Sequence, residues 1–408
     1  MRKTVVSTLI FFLAACVSAY SQYDPYQGEK LYQLKCGRCH FAYSPQKYSL
    51  EEWKTVIKEM GPISGLNEET EEAILTYLGQ GAKIKERELP TTPALAGYLY
   101  TEYFISRDST DTFDLHYLNF NISGRLHERV SYRAEFELEH GGGEDEPPFV
   151  EQAYLDFWFK KNMGVKIGAL LTPFNRFDEF HGPLENFLVT RPQMSREIGV
   201  SAWKEVGVSF HGNVFLHNSF YLTYDVYAIN GLGAGSRLRS SRHYRDNNDA
   251  KSLGFRLSGV IADRVEFGTS YYTGAWDDMG HYNLSMLGFH LLGSIDGFSL
   301  LAEYARSFSE NPEPFDKGRG EGYFIQASHL IREKFRLVLR YGTLDYLDQS
   351  NLLGREPTDK DLKIVALGFN FYLTNAVVFK IEYDVVLEGE RKEKKENNLI
   401  ALQAAIRF

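Results

Sequence analysis

Two cysteines and one histidine give the sequence its clearest chemical pattern. Residues 36–40 read Cys-Gly-Arg-Cys-His, the C-x-x-C-H spacing of covalent c-type haem attachment. Thiols at i and i+3 reach the two vinyl groups of one porphyrin, and the adjacent imidazole then lies under the iron. The alternative is a redox-active or metal-binding C-x-x-C, but a structural zinc site takes four ligands and this segment offers three. We therefore expect one covalently attached haem c, held by Cys36 and Cys39, with His40 as the proximal axial ligand.

The iron ligand opposite His40 has several candidates. Met60 is the only methionine between residues 20 and 90, and a thioether ligand raises the haem potential relative to a second imidazole. Met60 also falls on an apolar helix face, where it would be an ordinary core residue. Water, or a residue of the C-terminal domain described below, is the remaining alternative. The sequence favours His40 and Met60 as the two axial ligands of the haem iron.

Three short helices are predicted around this motif. The first begins at Asp24-Pro25, and the others begin at Ser49 and Asn67. Ser49 and Glu52 have the spacing of a capping box. Glycine is expected to end the second helix at Gly61-Pro62.

The second and third helices each carry one apolar face at helical spacing. The residues concerned are Trp53, Val56, Ile57 and Met60, and then Ala73, Ile74, Tyr77 and Leu78. Gly79 is expected to end the third helix. Together the three helices resemble a minimal class I cytochrome c, which implies a small all-α domain over residues 20–85.

The first residues predict export. Arg2 and Lys3 precede an apolar stretch at residues 5–15, and small residues follow, so residues 1–19 read as a signal peptide too short to span a membrane. Leu13-Ala14-Ala15-Cys16 also resembles a lipoprotein cleavage box. Cys16 is therefore either part of the apolar stretch or a lipidation site, and the mature protein leaves the cytoplasm in both cases.

Composition excludes several classes of protein. The mean hydropathy of −0.33 excludes a bundle of membrane helices, and 14% aromatic residues exclude a disordered chain. Three cysteines are too few for a disulfide scaffold, and a net charge of −9 argues against nucleic acid as a partner.

A charged, proline-bounded linker at residues 86–93 precedes a region, residues 94–408, whose polarity alternates with period two. We count sixteen candidate strands, with tight connections alternating with long ones, notably residues 172–204, 231–250 and 345–361. A soluble sandwich is the alternative, but this alternation and the even strand count favour a sixteen-stranded antiparallel transmembrane barrel. The fold class expected for the whole chain is multidomain, a small all-α cytochrome domain followed by an all-β barrel.

Charged residues on the face expected to line the lumen have both signs. They are Arg133, Arg336, Arg340, Lys380 and Arg407, and Glu135, Glu137, Asp156, Asp225, Glu382 and Asp384. An anion pore needs rings of one sign, so a solvated wall of paired ions is the favoured interpretation. The basic run at residues 237–245 is expected to be a solvated surface loop.

Residues 166–174 and 205–212, on either side of a long third loop, are similar to the phosphate-selective porin group, and the final strand, ending in Phe408, resembles an outer-membrane assembly signal. A haem motif fused to such a barrel resembles the outer-membrane cytochrome–porin fusions of iron-oxidising bacteria. The resemblance implies an electron-transfer protein passing electrons between an extracellular donor or acceptor, ferrous iron among the candidates, and periplasmic cytochromes. Whether the chain is itself an enzyme, an extracellular Fe(II) oxidase, stays open.

Two other functions compete with this interpretation, a solute (anion) porin with an accessory periplasmic cytochrome domain and a haem-based sensor or gate on a pore. The expected location is the bacterial outer membrane, with the haem domain periplasmic or within the barrel lumen. The expected partners are a periplasmic electron-carrier cytochrome, outer-membrane lipid, the outer-membrane assembly machinery and other copies of the chain in a porin-like trimer.

Overall fold

The computed structural model describes residues 28, 31–36, 45, 48–64, 66–82, 93–106, 110–127, 129–141, 149–160, 162–180, 182–217, 219–234, 238–241, 244–313, 317–347, 360–389 and 397–408. The chain divides into two compact units, one composed mainly of Met1–Leu89 and one within Pro90–Phe408. No helix among these residues has the length and apolar character needed to cross a membrane. The predicted signal peptide, with Cys16, and residues 37–40 lie outside the described residues.

The second unit is a closed antiparallel barrel of sixteen strands, as predicted. Each strand pairs with its neighbours along the chain, and β1 closes the barrel on β16 with Tyr98 opposite Arg407. The strands are β1 (Ala94–Ser106), β2 (Thr112–His127), β3 (Val130–Glu139), β4 (Phe149–Lys160), β5 (Met163–Leu171), β6 (Lys204–His217), β7 (Phe220–Ile229), β8 (Ser252–Ile261), β9 (Val265–Ala275), β10 (Asn283–Ile295), β11 (Phe298–Ser309), β12 (Gly318–Ile331), β13 (Phe335–Leu347), β14 (Lys360–Thr374), β15 (Val377–Glu388) and β16 (Leu399–Arg407).

Tight turns lie at one end of the barrel and the longer connections at the other. Asp296-Gly297 joins β10 to β11 with φ of 45° and 77°, the positive values that a two-residue hairpin turn of type I′ requires. Asp and Gly tolerate these angles better than other residues, so this pair fixes the register of the hairpin.

The barrel wall places apolar side chains outside and polar ones inside. On β13, Leu337 and Leu339 are 48% and 53% exposed. Their neighbours Val338 and Arg340 are only 1% and 3% exposed and face inward. Successive side chains of a strand point to opposite faces, so the predicted alternation is confirmed. The sheet closes on itself into a barrel, which excludes the soluble sandwich.

The connection between β5 and β6, residues 172–203, folds into the barrel. We call it the inserted loop; it contains a 3-10 turn (Phe177–Phe180) and a short helix, α3 (Gln193–Glu197). Its apolar side chains join inward-facing strand residues in one buried cluster that includes Phe174, Phe177, Met194, Ile198 and Trp203 from the loop and Tyr227, Tyr272, Ala305 and Phe324 from the wall.

The basic run at residues 237–245 is not wholly a solvated loop. Its described part includes a 3-10 turn, Leu238–Ser241. Leu238 is 1% exposed and belongs to the same buried cluster as the inserted loop, and Ser241 is 5% exposed. One apolar residue within the run therefore anchors this segment to the interior.

The described residues of the first unit include two helices, α1 (Leu50–Ser64) and α2 (Glu68–Ala82), and a π-helical turn, Tyr32–Cys36. The predicted capping box starts α1, where Ser49 N–H donates to Glu52 Oε2 at 2.7 Å and Glu52 N–H donates to Ser49 Oγ at 3.4 Å. Asn67 caps α2 by accepting the Thr70 N–H at 2.9 Å.

Both helices extend beyond their predicted ends. α1 continues past Gly61-Pro62 to Ser64, where the Leu66 N–H donates to Gly61 O at 3.0 Å and closes the helix in a Schellman-type bond. α2 continues past Gly79 to Ala82. A Cβ on Gly79 would lie 3.1 Å from Leu50 Cδ1, so this glycine allows close packing of the two helices instead of ending one.

Candidate haem segment and barrel lumen

Cys36 is the part of the haem-attachment motif that the structure describes. It is half-buried at the end of the π-helical turn, and its side chain packs against the core of the helical unit. Cys39 and His40 lie outside the described residues, so covalent attachment and proximal ligation stay predictions. A turn wider than an α-helix often occurs at functional sites.

Aromatic contacts hold this turn on the two helices. Tyr32 is 2% exposed, and its ring meets the Trp53 ring edge-on at 5.8 Å. Trp53 is itself fixed by the hydrogen bond from its Nε1 to Pro45 O, 2.7 Å. Ile57 and Ile74 complete the core with exposures of 1% and 0%. The position of Cys36 is therefore set by apolar packing against α1 and α2.

Met60 lies in the last turns of α1 and is half-buried. It differs from Trp53 and Ile57 on the same helix, which are almost inaccessible. Half-burial fits either a packing residue or an iron ligand, so this placement does not decide the predicted role of Met60.

The inserted loop is anchored first to the wall formed by β8, β9 and β11. Glu303 on β11 accepts the backbone N–H groups of Arg176 and Phe177, both at 2.7 Å. Arg256 on β8 donates to Asn175 O at 2.8 Å. These bonds satisfy the buried backbone groups of the loop, which would otherwise be costly in the interior.

The middle of the loop reaches the opposite wall. Arg340 on β13 donates to Thr190 O at 2.7 Å and to Thr190 Oγ1 at 2.6 Å. Glu382 on β15 accepts the Thr190 N–H at 2.9 Å, and Lys380 donates to Asn186 O at 2.6 Å. β13 is eight strands away from β5 in the sixteen-stranded barrel, which places it on the opposite side. The loop that leaves β5 therefore crosses the lumen.

Two inward-facing glycines make room for this crossing. A Cβ on Gly368 would lie 2.3 Å from Leu188 Cδ2, and one on Gly322 would lie 3.1 Å from Met194 Cβ. A larger residue at Gly368 would require the Leu188 side chain to move.

Several charges in the lumen occur as pairs of opposite sign. Arg133 lies 3.0 Å from Glu135, and Arg340 lies 3.4 Å from Glu382. Arg256 pairs with Asp225 at 2.9 Å. In the inserted loop, burial lowers the pKa of the Arg176 guanidinium. The carboxylate of Glu266 on β9, 2.9 Å away, opposes that shift.

The predicted lumen residues lie mostly where the alternation placed them. Glu135, Glu137, Asp156, Arg340, Lys380, Glu382 and Asp384 are buried, whereas Arg407 is exposed and contacts Glu185 of the loop at 2.7 Å. The sequence analysis missed the loop anchors Glu303 and Arg256. Arg256 is the one charged residue of β8, and that signal could have identified it, whereas Glu303 shares β11 with Arg306 and no local signal distinguishes it.

A sequence model of the dihaem cytochrome c family matches residues 32–133. The match includes the C-x-x-C-H motif and extends into the first strands of the barrel. It indicates haem c as the cofactor of this chain. The family name implies two haems, whereas the chain has three cysteines in all and a single C-x-x-C-H motif.

The chain is similar to one curated protein of unknown role, and the barrel is similar in fold to solved outer-membrane proteins. An uncharacterized protein of Aquifex aeolicus is 24% identical over 369 residues, spanning 80% of this chain and 83% of that protein. The trimer form of OmpT of Vibrio cholerae superposes with a TM-score of 0.55 at 12% identity, covering 78% of this chain and 99% of that one. An anion-selective porin from Comamonas acidovorans gives 0.58 at 9% identity, covering 78% and 98%. The chain thus joins a cytochrome-like region to a porin-like barrel.

Proposed function

We propose that this chain is an outer-membrane electron-transfer protein with one covalently bound haem c. Cys36 and Cys39 hold the haem, His40 is the proximal ligand and Met60 the opposite one. The protein passes electrons between an extracellular donor or acceptor, ferrous iron among the candidates, and a periplasmic cytochrome. The observation that carries this proposal is the C-x-x-C-H motif, inside a cytochrome-like match, in the same chain as a closed sixteen-stranded barrel.

The outer membrane is the proposed location because the barrel exterior is apolar. Leu339, Phe379 and Ile381 are 53%, 45% and 47% exposed on that surface. Continuous apolar surface of this kind fits hydrocarbon and is unfavourable in water. We propose the division into a signal peptide at residues 1–19, a cytochrome domain at 20–85, a linker at 86–93 and the barrel at 94–408.

The cysteine count supports a single haem. Cys16 lies in the proposed signal peptide, so Cys36 and Cys39 are the only thiols left for attachment. A bilayer core is about 30 Å thick, and one haem covers a small part of that distance. Electron transfer across the membrane therefore requires that the haem lies high in the lumen or meets a partner haem, and we propose that a periplasmic cytochrome exchanges electrons with it on the periplasmic side.

The second candidate function is a porin with an accessory cytochrome. Porin-like solved structures, an anion-selective one among them, favour it at the level of fold. The inserted loop and the paired lumen charges weigh against selective anion passage, because such a pore needs unpaired charge of one sign. A porin-like trimer remains part of either proposal.

Reconstitution in liposomes tests the proposal. The full-length protein is inserted into vesicles that enclose a redox dye and a soluble c-type cytochrome. An impermeant reductant is then added to the outer solution. Dye reduction should be fast with the native protein and slow with Cys36→Ala/Cys39→Ala. Equal rates in the two proteins would show leakage through a pore and would favour the porin.

A further inference from the structure

The long-connection end of the barrel carries a cluster of histidines and carboxylates that the proposed electron transfer does not use. Asp114 and His116 lie near the start of β2, Glu102 lies on β1, and His140 follows the last residue of β3. A register shift between Tyr100 and Glu102 brings these side chains together. We call these four residues the mouth cluster.

Two imidazoles meet one carboxylate in the mouth cluster. Nδ1 of His116 and Nδ1 of His140 each lie 2.8 Å from Asp114 Oδ2. Glu102 Oε2 lies 3.4 Å from Nδ1 of His116. One ligand atom each from Asp114, His116 and His140 lies within 4.8 Å of the others.

These distances are close to those between donor atoms around one metal ion. Bonds of about 2.1 Å to nitrogen and oxygen place neighbouring donors roughly 3.0–3.4 Å apart in octahedral or tetrahedral geometry. The observed separations of 2.8 and 3.4 Å need only small side-chain movements to match that range. Two imidazoles with one or two carboxylates are a donor set that suits Zn²⁺ and Fe²⁺.

Neighbouring side chains hold the donors in place. Gln403 Nε2 donates to Glu102 Oε1 at 2.7 Å, which leaves Glu102 Oε2 on the side of His116. The Tyr100 ring stacks on the His116 ring at 5.5 Å. His140 has a φ of 47°, and its N–H donates to His116 O at 3.1 Å. Outer partners of this kind orient metal ligands and raise affinity.

The cluster combines buried charge with access from solvent. Glu102 and Asp114 are 3% and 17% exposed, whereas His116 and His140 are 27% and 43% exposed. The carboxylate of Asp114, which both imidazoles contact, supplies negative charge toward a divalent cation. The exposed side leaves room for water or a small ligand on the metal.

We propose that the mouth cluster binds one divalent first-row transition metal ion, with His116, His140 and Asp114 as ligands and Glu102 as the fourth. The ion is separate from the haem iron, and the proposal does not depend on the electron-transfer function. A protein without haem would still bind it.

Zn²⁺ is the probe, because it is redox-inactive and because the amount of bound zinc can be measured separately from the haem iron. Full-length protein without an affinity tag is dialysed against Zn²⁺, and bound zinc is measured by mass spectrometry. One Zn²⁺ per chain is expected. X-ray absorption at the zinc edge should show two imidazoles and oxygen ligands at about 2.0–2.1 Å.

His116→Gln and His140→Gln should each weaken Zn²⁺ binding by at least about 100-fold, since even an outer partner is worth roughly 10–100-fold. His217→Gln, at an exposed histidine of a tight turn, is the matched control and should bind as the native protein does. His140 lies beyond the end of its strand, so its replacement should leave assembly intact, as judged by heat-modifiable migration in gels.

Native affinity in both His116→Gln and His140→Gln would overturn the proposal, and so would the absence of saturable zinc binding by the native protein. That second result would mean that the imidazoles only donate hydrogen bonds to Asp114. Neither outcome affects the liposome assay, in which the haem variant is compared with the native chain.

Discussion

The helical unit and the barrel expose opposite kinds of side chain. In the helical unit Trp53 and Ile74 are inaccessible, while Glu51 and Lys54 are exposed. In the barrel Glu382 is 1% exposed and Leu339 is 53% exposed. Apolar burial can therefore stabilise the helical unit in water, whereas the barrel depends on an apolar surrounding and on paired polar groups inside. Changes of the same chemical type should act differently in the two units.

The largest effect is expected from removing the thiols. Cys36→Ala with Cys39→Ala should abolish covalent haem, because Cys36 and Cys39 are the only cysteines outside the predicted signal peptide. The barrel should still assemble, since its strands contain no cysteine. Haem staining of denatured protein and heat-modifiable migration measure the two properties separately. Haem that stays attached to the denatured double variant would disprove the assignment.

Arg340→Ala tests the polar interior of the barrel. It removes both hydrogen bonds to Thr190 and leaves Glu382 buried without its cation, at a cost of about 3 kcal/mol. The inserted loop should loosen, which single-channel conductance and limited proteolysis would detect as a wider, more accessible lumen. Arg306→Ala is the matched control, because Arg306 and Glu321 are 35% and 36% exposed and an exposed pair is worth less than about 1 kcal/mol. Equal effects of the two variants would mean that the loop is not held by Arg340.

Leu339→Arg tests the apolar exterior. A cation on the lipid-facing side near mid-membrane should destabilise the barrel by about 2–4 kcal/mol, but by no more than about 1 kcal/mol near an interface. Leu95→Arg, at the start of β1 and 65% exposed, supplies that interface control. Unfolding in urea from lipid vesicles measures both. A cost at Leu339 no greater than at Leu95 would argue against a membrane around this wall.

Met60→Ala tests the predicted iron ligand. Loss of a thioether should lower the haem potential by a fraction of the roughly 0.8 V range that axial ligands set. The absorption spectrum should also change, because water or nothing replaces sulfur. Met163→Ala, at the start of β5, is the control variant and should leave spectrum and potential unchanged. An unchanged spectrum in Met60→Ala would make Met60 an ordinary packing residue of α1.

The strands were predictable because the alternating pattern that defines each strand lies within a short stretch of sequence. Alternation along β13 follows from the residues of that strand, and each strand pairs with its chain neighbours. The inserted loop was not predictable, because Glu303 contacts Phe177 across more than a hundred residues of sequence. Gly79 misled the prediction of the end of α2, because its role depends on contact with Leu50 of another helix. The mouth cluster likewise depends on a register shift that the sequence does not reveal.

The smallest effect is expected at the start of α1. Ser49→Ala removes the hydroxyl that accepts the Glu52 N–H and leaves the Glu52 carboxylate with the Ser49 backbone N–H, so the helical unit should lose about 1 kcal/mol. Ser49→Asp keeps a capping oxygen and should restore most of it, since a carboxylate is also favourable at a helix N-terminus. Thermal unfolding followed by helical circular dichroism would report this change, while the barrel signal should not move. A loss that Ser49→Asp fails to restore would show that packing near Trp53, and not the cap, determines the stability of this end.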